Sequence, residues 1–494
     1  MSDIYIPGVR SRFDSEKVIE DLMKLERIPK ERAEGNIERF ELQRGFWQEI
    51  NSRTAALRES ARQLFSFQNP FNDRMISSSD ESIISGTAVR EAFEQETSFT
   101  VKQLAAGDRF LSAPSDDDFT VESGSYAFTI GNDEISFEFR GGTLKEFTDA
   151  LNRQGRDKIQ ANLIAVKPGT RSLLIESKVT GEENSLGFSG ASLVLGELTG
   201  MIEQVDDPRY PTGIRPLNAV STARDAILSM EGIEIHRPKN EIDDLLPGIT
   251  ITAKRVSDIP VTLQVETDRE GIKEAIISFV GNYNRLMAEI NVLTRNDQRV
   301  IDELNYLSRE EKEDYQKKLG AFSADSTLTQ MRNSLINIIN TPYQNSGQSD
   351  ITLLAQIGVG TDVLRTGGMD AARLRGYLEI DPKILDSALA SNLQGVKQLF
   401  GNDTTGDMLV NSGIAYSIDV LTRPYTESTG LFAQKSGNIS TRIDQEKRRI
   451  ETLDRQLAVK EADLKKQYAQ MESAYTRMEQ MSTSFGRFQQ QNSN

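Results

Sequence analysis

Residues 443–485 read IDQEKRRIETLDRQLAVKEADLKKQYAQMESAYTRMEQMSTSF, and one position in every seven is apolar: Ile443, Ile450, Leu457, Leu464, Met471, Met478, Phe485. The companion position reads Ile439, Glu446, Leu453, Lys460, Gln467, Ala474 and Met481, so it is apolar only in part. No proline interrupts the stretch from Gly430 to Gln489, and no glycine falls between Gly437 and Gly486. A seven-residue apolar period of this length needs a partner helix, because an isolated helix cannot bury such a stripe. Lys460 and Gln467 within the stripe either tune register and oligomer state or reach out to water.

The partner is sought at the other end of the chain. Residues 1–13 read as an extended tail with Pro7-Gly8. Phe13-Asp14 reads as a helix start, Asp14 capping and Phe13 packing on Val18. Val18, Ile19, Leu22 and Leu25 form a short apolar face, and Pro29 is expected to break or kink the helix. From Lys30 to about Phe67 the apolar residues Ala33, Ile37, Phe40, Trp47, Ile50, Leu57, Ala61 and Leu64 recur at three and four. This segment reads equally as the partner of the terminal helix or as a plain amphipathic bundle helix.

Between these ends the texture changes. From Met75 to about Thr267, period-two alternation and turn residues predominate. Tyr126, Phe128, Ile130 and Ile135, Phe137, Phe139 alternate across Gly131-Asn132-Asp133, a hairpin signal. Thr143 with Glu146 is a capping box for a short helix bearing Leu144, Phe147 and Leu151. Two strands fit around Pro168-Gly169, and Pro208, Pro211 and Pro216 mark a boundary. Helices resume at Asp268, where Ile272, Ile276, Phe279, Tyr283, Leu286, Ile290 and Leu293 keep three-four spacing. Ser308 with Glu311 is another capping box. Leu328, Met331, Leu335 and Ile338 form a face stopped by Pro342. Asp381-Pro382 opens a helix that Gly401 closes.

The expected fold is therefore α+β and multi-domain: an antiparallel coiled-coil or helical stalk from both chain ends, with an inserted β-rich head of about two small domains. Residues 30–74 and 268–466 make the stalk. Residues 75–112 with 219–267 make the first β domain, and 113–218 the second. Residues 1–29 form a terminal leg, mobile before assembly, that pairs with 467–494. The coiled-coil and assembly residues are Trp47, Ile50, Leu57, Ile443, Ile450, Leu457, Leu464, Met471, Tyr475, Met478 and Phe485.

Composition excludes several function classes. The formal net charge of −16 opposes binding to duplex nucleic acid or to an anionic membrane surface. No apolar run is long enough to span a bilayer, and Met1 to Arg10 lacks the pattern of a secretory signal. The chain has no cysteine, which removes disulfides, thiolate nucleophiles and thiolate metal sites. The lone histidine, His236, reads as a surface strand residue rather than a ligand or base. Asp116-Asp117-Asp118 lacks the glycine turn and distal glutamate of a calcium loop and reads as a solvated acidic turn. No phosphate loop is present, and no catalytic, cofactor or metal site is expected.

Ile6-Pro7-Gly8, Asp14, Leu22-Met23, Glu26 and Pro29 resemble the opening of the bacterial flagellar filament cap family, also called hook-associated protein 2. Val101-x-Gln103-Leu104-Ala105, Ala223-x-Asp225-Ala226, Gly232-Ile233, Asn240 and Gly248-Ile249-Thr250 continue the resemblance. So do Phe279-Val280-x-x-Tyr283-Asn284, Asp325-Ser326, Ile357-Gly358-Val359, Gly395-Val396-x-x-Leu399-Phe400, Thr429-Gly430 and Gln467-Tyr468-x-x-Met471-Glu472. Residues 113–218 carry little of it, and Val9-Arg10-Ser11-Arg12-Phe13 stands where the family has a small Gly-Ser-Gly run. The resemblance implies a non-enzymatic cap without cofactors, exported unfolded through the flagellar type III pathway. It implies a homo-oligomeric ring at the filament tip, by resemblance a pentamer, that promotes insertion and folding of flagellin. It also implies hook–filament junction proteins and a flagellar export chaperone as partners, and no membrane insertion. The flagellum is extracellular, or periplasmic where flagella are internal. The alternatives are a hook–filament junction protein and a non-flagellar coiled-coil adhesin or scaffold.

Overall fold

The computed structural model describes residues 15–304, 307–344, 350–361, 363 and 375–491, with side chains as far as Arg487. The expected tail 1–13 and the Phe13/Asp14 helix start lie outside the described residues. The chain forms two compact units: Met1–Asn69 with Ile272–Asn494, and Pro70–Gly271. The first long helix, α1 (Ser15–Phe65), continues through Pro29, so that of the expected break or kink the break does not occur. A proline deletes a single intrahelical hydrogen bond. Here Ile19 and Met23 before it and Ala33 after it are all buried, so packing on both sides holds the helix together.

The β-rich unit begins with a 3₁₀ turn at Pro70–Asn72, so its boundary falls at Asn69 rather than after residue 74. Its first strands are β1 (Arg74–Ser78), β2 (Ile84–Ala88), β3 (Gln95–Gln103), β4 (Arg109–Leu111) and β5 (Ser115–Asp116). The hairpin β6 (Thr120–Ile130) and β7 (Asp133–Thr143) turns at Gly131-Asn132, with Ile130 opposite Asp133. Gly131 sits at φ +56°, a left-handed conformation that favours glycine. Thr143 then caps α2 (Leu144–Gly155), its Oγ1 accepting from the Glu146 amide at 3.3 Å while Glu146 Oε2 accepts from the Thr143 amide at 2.9 Å. Next come β8 (Ile159–Lys167), β9 (Thr170–Ser177), β10 (Leu186–Gly190), α3 (Ala191–Leu198), β11 (Ile202–Gln204), β12 (Ile214–Pro216) and β13 (Ala219–Ser221). The unit ends with β14 (Ala226–Met230), β15 (Ile233–Arg237), β16 (Glu241–Leu246), β17 (Ile249–Ala253) and β18 (Val261–Thr267).

Two cores divide this unit. One fills the space between the sheet β1-β18-β3-β14-β15 and the sheet β16-β17-β2, around Ile84, Phe99, Val101, Leu228 and Ile251. The other, around Phe128, Phe147, Leu173 and Leu186, is built from β10-β6-β7, from β13-β4-β9-β5 with β8, and from the buried faces of α2 and α3. Phe110, which the sequence grouping places with the first core, lies in the second and stacks on Phe188 at 6.3 Å. The buried Asp108 ties the crossing segments together. Its Oδ2 accepts from the Leu186 amide at 2.6 Å and its Oδ1 from the Ala223 amide at 2.7 Å. Asn240 adds a second tie, bonding both the amide and the carbonyl of Ala105 at 2.8 and 2.9 Å.

The helical unit resumes within α4 (Arg269–Thr294), whose Ile272, Ile276, Phe279, Tyr283, Leu286, Ile290 and Leu293 are all fully buried. Short α5 (Arg299–Asp302) and α6 (Arg309–Lys318) follow, α6 opening on the Ser308/Glu311 capping box. Asp325 caps α7 (Ser326–Asn340), which buries Leu328, Met331, Leu335 and Ile339 rather than Ile338. A two-residue pair, β19 (Val359–Gly360) with β20 (Glu379–Ile380), precedes α8 (Pro382–Ser391), capped by Asp381. The single helix expected up to Gly401 is split, because Asn392 ends α8 and its side chain accepts from the Gly395 amide to start α9 (Leu393–Phe400). Last come α10 (Ile414–Thr426) and α11 (Leu431–Gln491).

Candidate assembly surface

The terminal helix α11 runs antiparallel to α1, and side-chain contacts fix the register. Lys435 Nζ lies 5.3 Å over the Trp47 ring, and the Arg442 guanidinium lies 4.3 Å over Phe40. Further out, Asn36 donates to Glu446 at 3.1 Å, Lys30 to Asp454 at 2.6 Å, and Lys460 approaches Glu26 at 3.8 Å. Ser15 hydrogen-bonds Glu472. Each pair moves outward on both helices together, which is the signature of one antiparallel seam.

The seam changes character along its length. At its base Trp47 stacks on Phe322 at 4.6 Å and meets Phe432 at 5.6 Å, and Ile439 and Ile443 are buried. Ile450, Leu457 and Leu464 are only half-buried, as expected where a two-helix seam has water on both sides. From Arg477 to Arg487 every side chain of α11 is exposed. Met471 and Tyr475 are 47% and 45% exposed, and Met478, Met481 and Phe485 reach 68%, 66% and 74%. Such apolar exposure is costly unless a partner covers it.

α1 matches this at the same end. Ile19 and Met23 are buried, while Val18, Leu22 and Leu25 stay exposed at 39%, 37% and 65%. Sequence spacing groups Val18 with Ile19 and passes over Met23, because a short apolar cluster gives no sign of which neighbour turns inward. Of the other candidate residues, Ile50 and Leu57 are fully buried. C-terminal to them α1 is held to α10 by Arg58 to Asp419 at 2.7 Å and by Phe65 edge-on to Tyr416 at 5.8 Å. Trp47 therefore meets the terminal helix directly, through Phe432 and Lys435.

His236 lies on an exposed strand, its Nε2 2.9 Å from Glu234, and Asp117 pairs with Arg171 at 2.7 Å. Among the described residues, no cluster of His, Asp and Glu is arranged to hold a metal ion, and no helix is long and apolar enough to cross a membrane.

A coiled coil made from the N- and C-terminal helices, with a two-core β-rich unit inserted in sequence between them, defines an α+β protein whose exposed apolar residues gather on the outer turns of its terminal helices. The chain belongs to the flagellar hook-associated protein 2 family: residues 223–480 match the description "Flagellar hook-associated protein 2 C-terminus" and residues 11–108 match "Flagellar hook-associated protein 2 N-terminus". The flagellar hook-associated protein 2 of Treponema maltophilum is 30% identical, covering 91% of this chain and 93% of that relative. That of Treponema pallidum is 26% identical, covering 90% and 93%. In fold, the chain is similar to the D1-D2-D3 domains of the flagellar cap protein FliD from Escherichia coli, with a TM-score of 0.56 and 22% identity over 80% of this chain and 99% of that one. Family membership does not favour the junction-protein and adhesin alternatives.

Proposed function

We infer that this protein caps the flagellar filament, working as a homo-oligomer at the filament tip that promotes insertion and folding of flagellin. It acts by binding and positioning rather than by bond chemistry. The helical ends are its legs. The observation that carries this reading is the graded exposure of α11, from buried Ile443 to Phe485 at 74%. The outer turns offer methionine and phenylalanine, and methionine adapts to irregular contacts, which suits a leg seated on a growing and changing filament end. Flagellin or an adjacent axial protein such as a hook–filament junction component covers these turns. Before that, the chain travels through the flagellar type III pathway with an export chaperone, a route that the absence of cysteine suits. The family match to flagellar hook-associated protein 2 supports the cap reading.

The test is Met478→Glu with Phe485→Glu in the full chain, in motile cells. Both side chains are exposed, so melting of the purified variant should stay within about 0.5 kcal/mol of wild type. Filaments should be short, with flagellin lost to the medium. Normal filaments from this variant would overturn the leg assignment.

A further inference from the structure

Strand β7 is a long open edge. The three-stranded sheet runs β10-β6-β7 and ends there, and β7 pairs through ten positions with β6 alone. Among the described residues, no other main chain bonds to residues 134–142. A row of unpaired amides and carbonyls of this length is a template for an added strand.

The side chains of β7 say which strand fits. Glu134, Ser136, Glu138 and Arg140 form its exposed face, while Ile135, Phe137 and Phe139 point to the α2 side. Phe137 and Phe139 are only half-buried although both pack on Phe147, at ring distances of 5.8 and 5.5 Å. Among the described residues, Glu134, Glu138 and Arg140 make no ion pair. Lay a second β7 antiparallel against this edge with a two-fold axis at Phe137. Glu134 then faces Arg140 of the other copy twice, Ser136 faces Glu138 twice, Ile135 faces Phe139 twice, and the two Phe137 rings meet. Opposite charges and aromatic pairs directly across a ladder stabilise it, and like charges oppose it. Shifting the axis to Ser136 sets Glu134 against Glu138, and shifting it to Glu138 sets that residue against itself. The charge pattern thus selects one register.

We propose that two copies of this protein associate through antiparallel pairing of their β7 edges, centred on Phe137. The contact is isologous and closes at two, so it is distinct from any head-to-tail contact that builds a ring. It does not rest on the cap reading.

The natural absence of cysteine makes the register directly readable. Full-length Ser136→Cys and Glu138→Cys proteins are mixed and oxidised, beside an exposed control, Glu183→Cys. The expected product is the mixed dimer, its disulfide joining position 136 of one copy to position 138 of the other, in clear excess over either homodimer and over the control. Arg140→Glu should cut its yield about tenfold, and adding Glu134→Arg should restore it, with circular dichroism confirming that each variant is folded. Homodimers in equal or greater amount overturn the proposal, as does failure of the charge swap to restore pairing. A mixed yield no higher than the control also overturns it, and then leaves the edge to an extended strand of a different protein.

Discussion

Arg58 Nε donates to Asp419 Oδ1 at 2.7 Å, joining α1 to α10 across 361 positions of sequence. Asp419 is buried, and Arg423 Nη2 donates to its other oxygen at 2.5 Å. Burial pushes the Asp419 pKa up, but the hydrogen bonds from Arg58 and Arg423 outweigh it and hold the carboxyl below its usual range. A depressed folded pKa gives stability that is present above the unfolded value and is lost as pH falls through the folded one. Asp419→Ala should therefore destabilise the helical unit by roughly 3 kcal/mol near neutrality, since it strands a partly buried guanidinium. The deficit should shrink in acid. Urea unfolding of wild type and variant across the acid range checks this, and a deficit independent of pH would contradict it.

The opposite sign holds for Glu289. It is fully buried on α4, and burial raises its pKa. Lys318, donating to it at 3.1 Å, and Arg53 pull the value back, while Glu49 pushes it up. Stability linked to a raised carboxyl is complete below the unfolded value and declines as pH rises through the folded one. Lys318→Met removes the main compensating charge. It should cost roughly 3 kcal/mol, more at about pH 8 than at about pH 5. Adding Glu289→Gln should remove that slope. An equal loss at both pH values would show that Lys318 acts through packing alone.

Trp47 is the sole tryptophan and is 3% exposed, between Phe322, Phe432 and the Lys435 ammonium. Its emission should be blue-shifted in the native protein and move to the red on unfolding. Trp47→Ala should cost about 3–5 kcal/mol, because the cavity lies where α1, α11 and the Phe322 turn meet. A native spectrum typical of water-exposed tryptophan would contradict the packing.

How far the sequence can be read depends on the range of the interaction. The boxes Thr143/Glu146 and Ser308/Glu311 and the cap Asp381 are legible because each closes within about three residues. The heptad run from Ile443 is legible because its period repeats. Pro29 does not break the helix because the cost of a proline is local while the burial of Ile19, Met23 and Ala33 that opposes it is tertiary. The break at Asn392 hides because the residues on both sides, Leu385, Leu389, Val396 and Leu399, keep an apolar pattern through it. Phe110 is placed in the wrong core because β4 is three residues long and its neighbour β9 starts about sixty residues later. The ties Arg58–Asp419 and Lys318–Glu289 are invisible for the same reason: no local pattern marks two charges that meet only after folding.

The β-rich unit should fold by itself. Its two ends are already joined within it, since Arg74 pairs with Thr267 across β1 and β18 and the Asp268 amide donates to Asp73 at 3.0 Å. Both of its cores are made of its own residues. Residues 70–271 expressed alone should give strand-rich circular dichroism and a cooperative transition. The second core depends on the crossing segments, so Asp108 should matter more than its size suggests. Asp108→Ala leaves the Leu186 and Ala223 amides without their acceptor, a loss of about 3 kcal/mol or more. If the transition stays single, the two cores unfold as one body and the variant melts lower throughout. If it splits in two, Asp108 is the coupling between cores, and hydrogen exchange should find the weaker phase around Phe128 and Leu186. A fragment without any cooperative transition would mean that the unit depends on the helices, against the closure of its ends and cores.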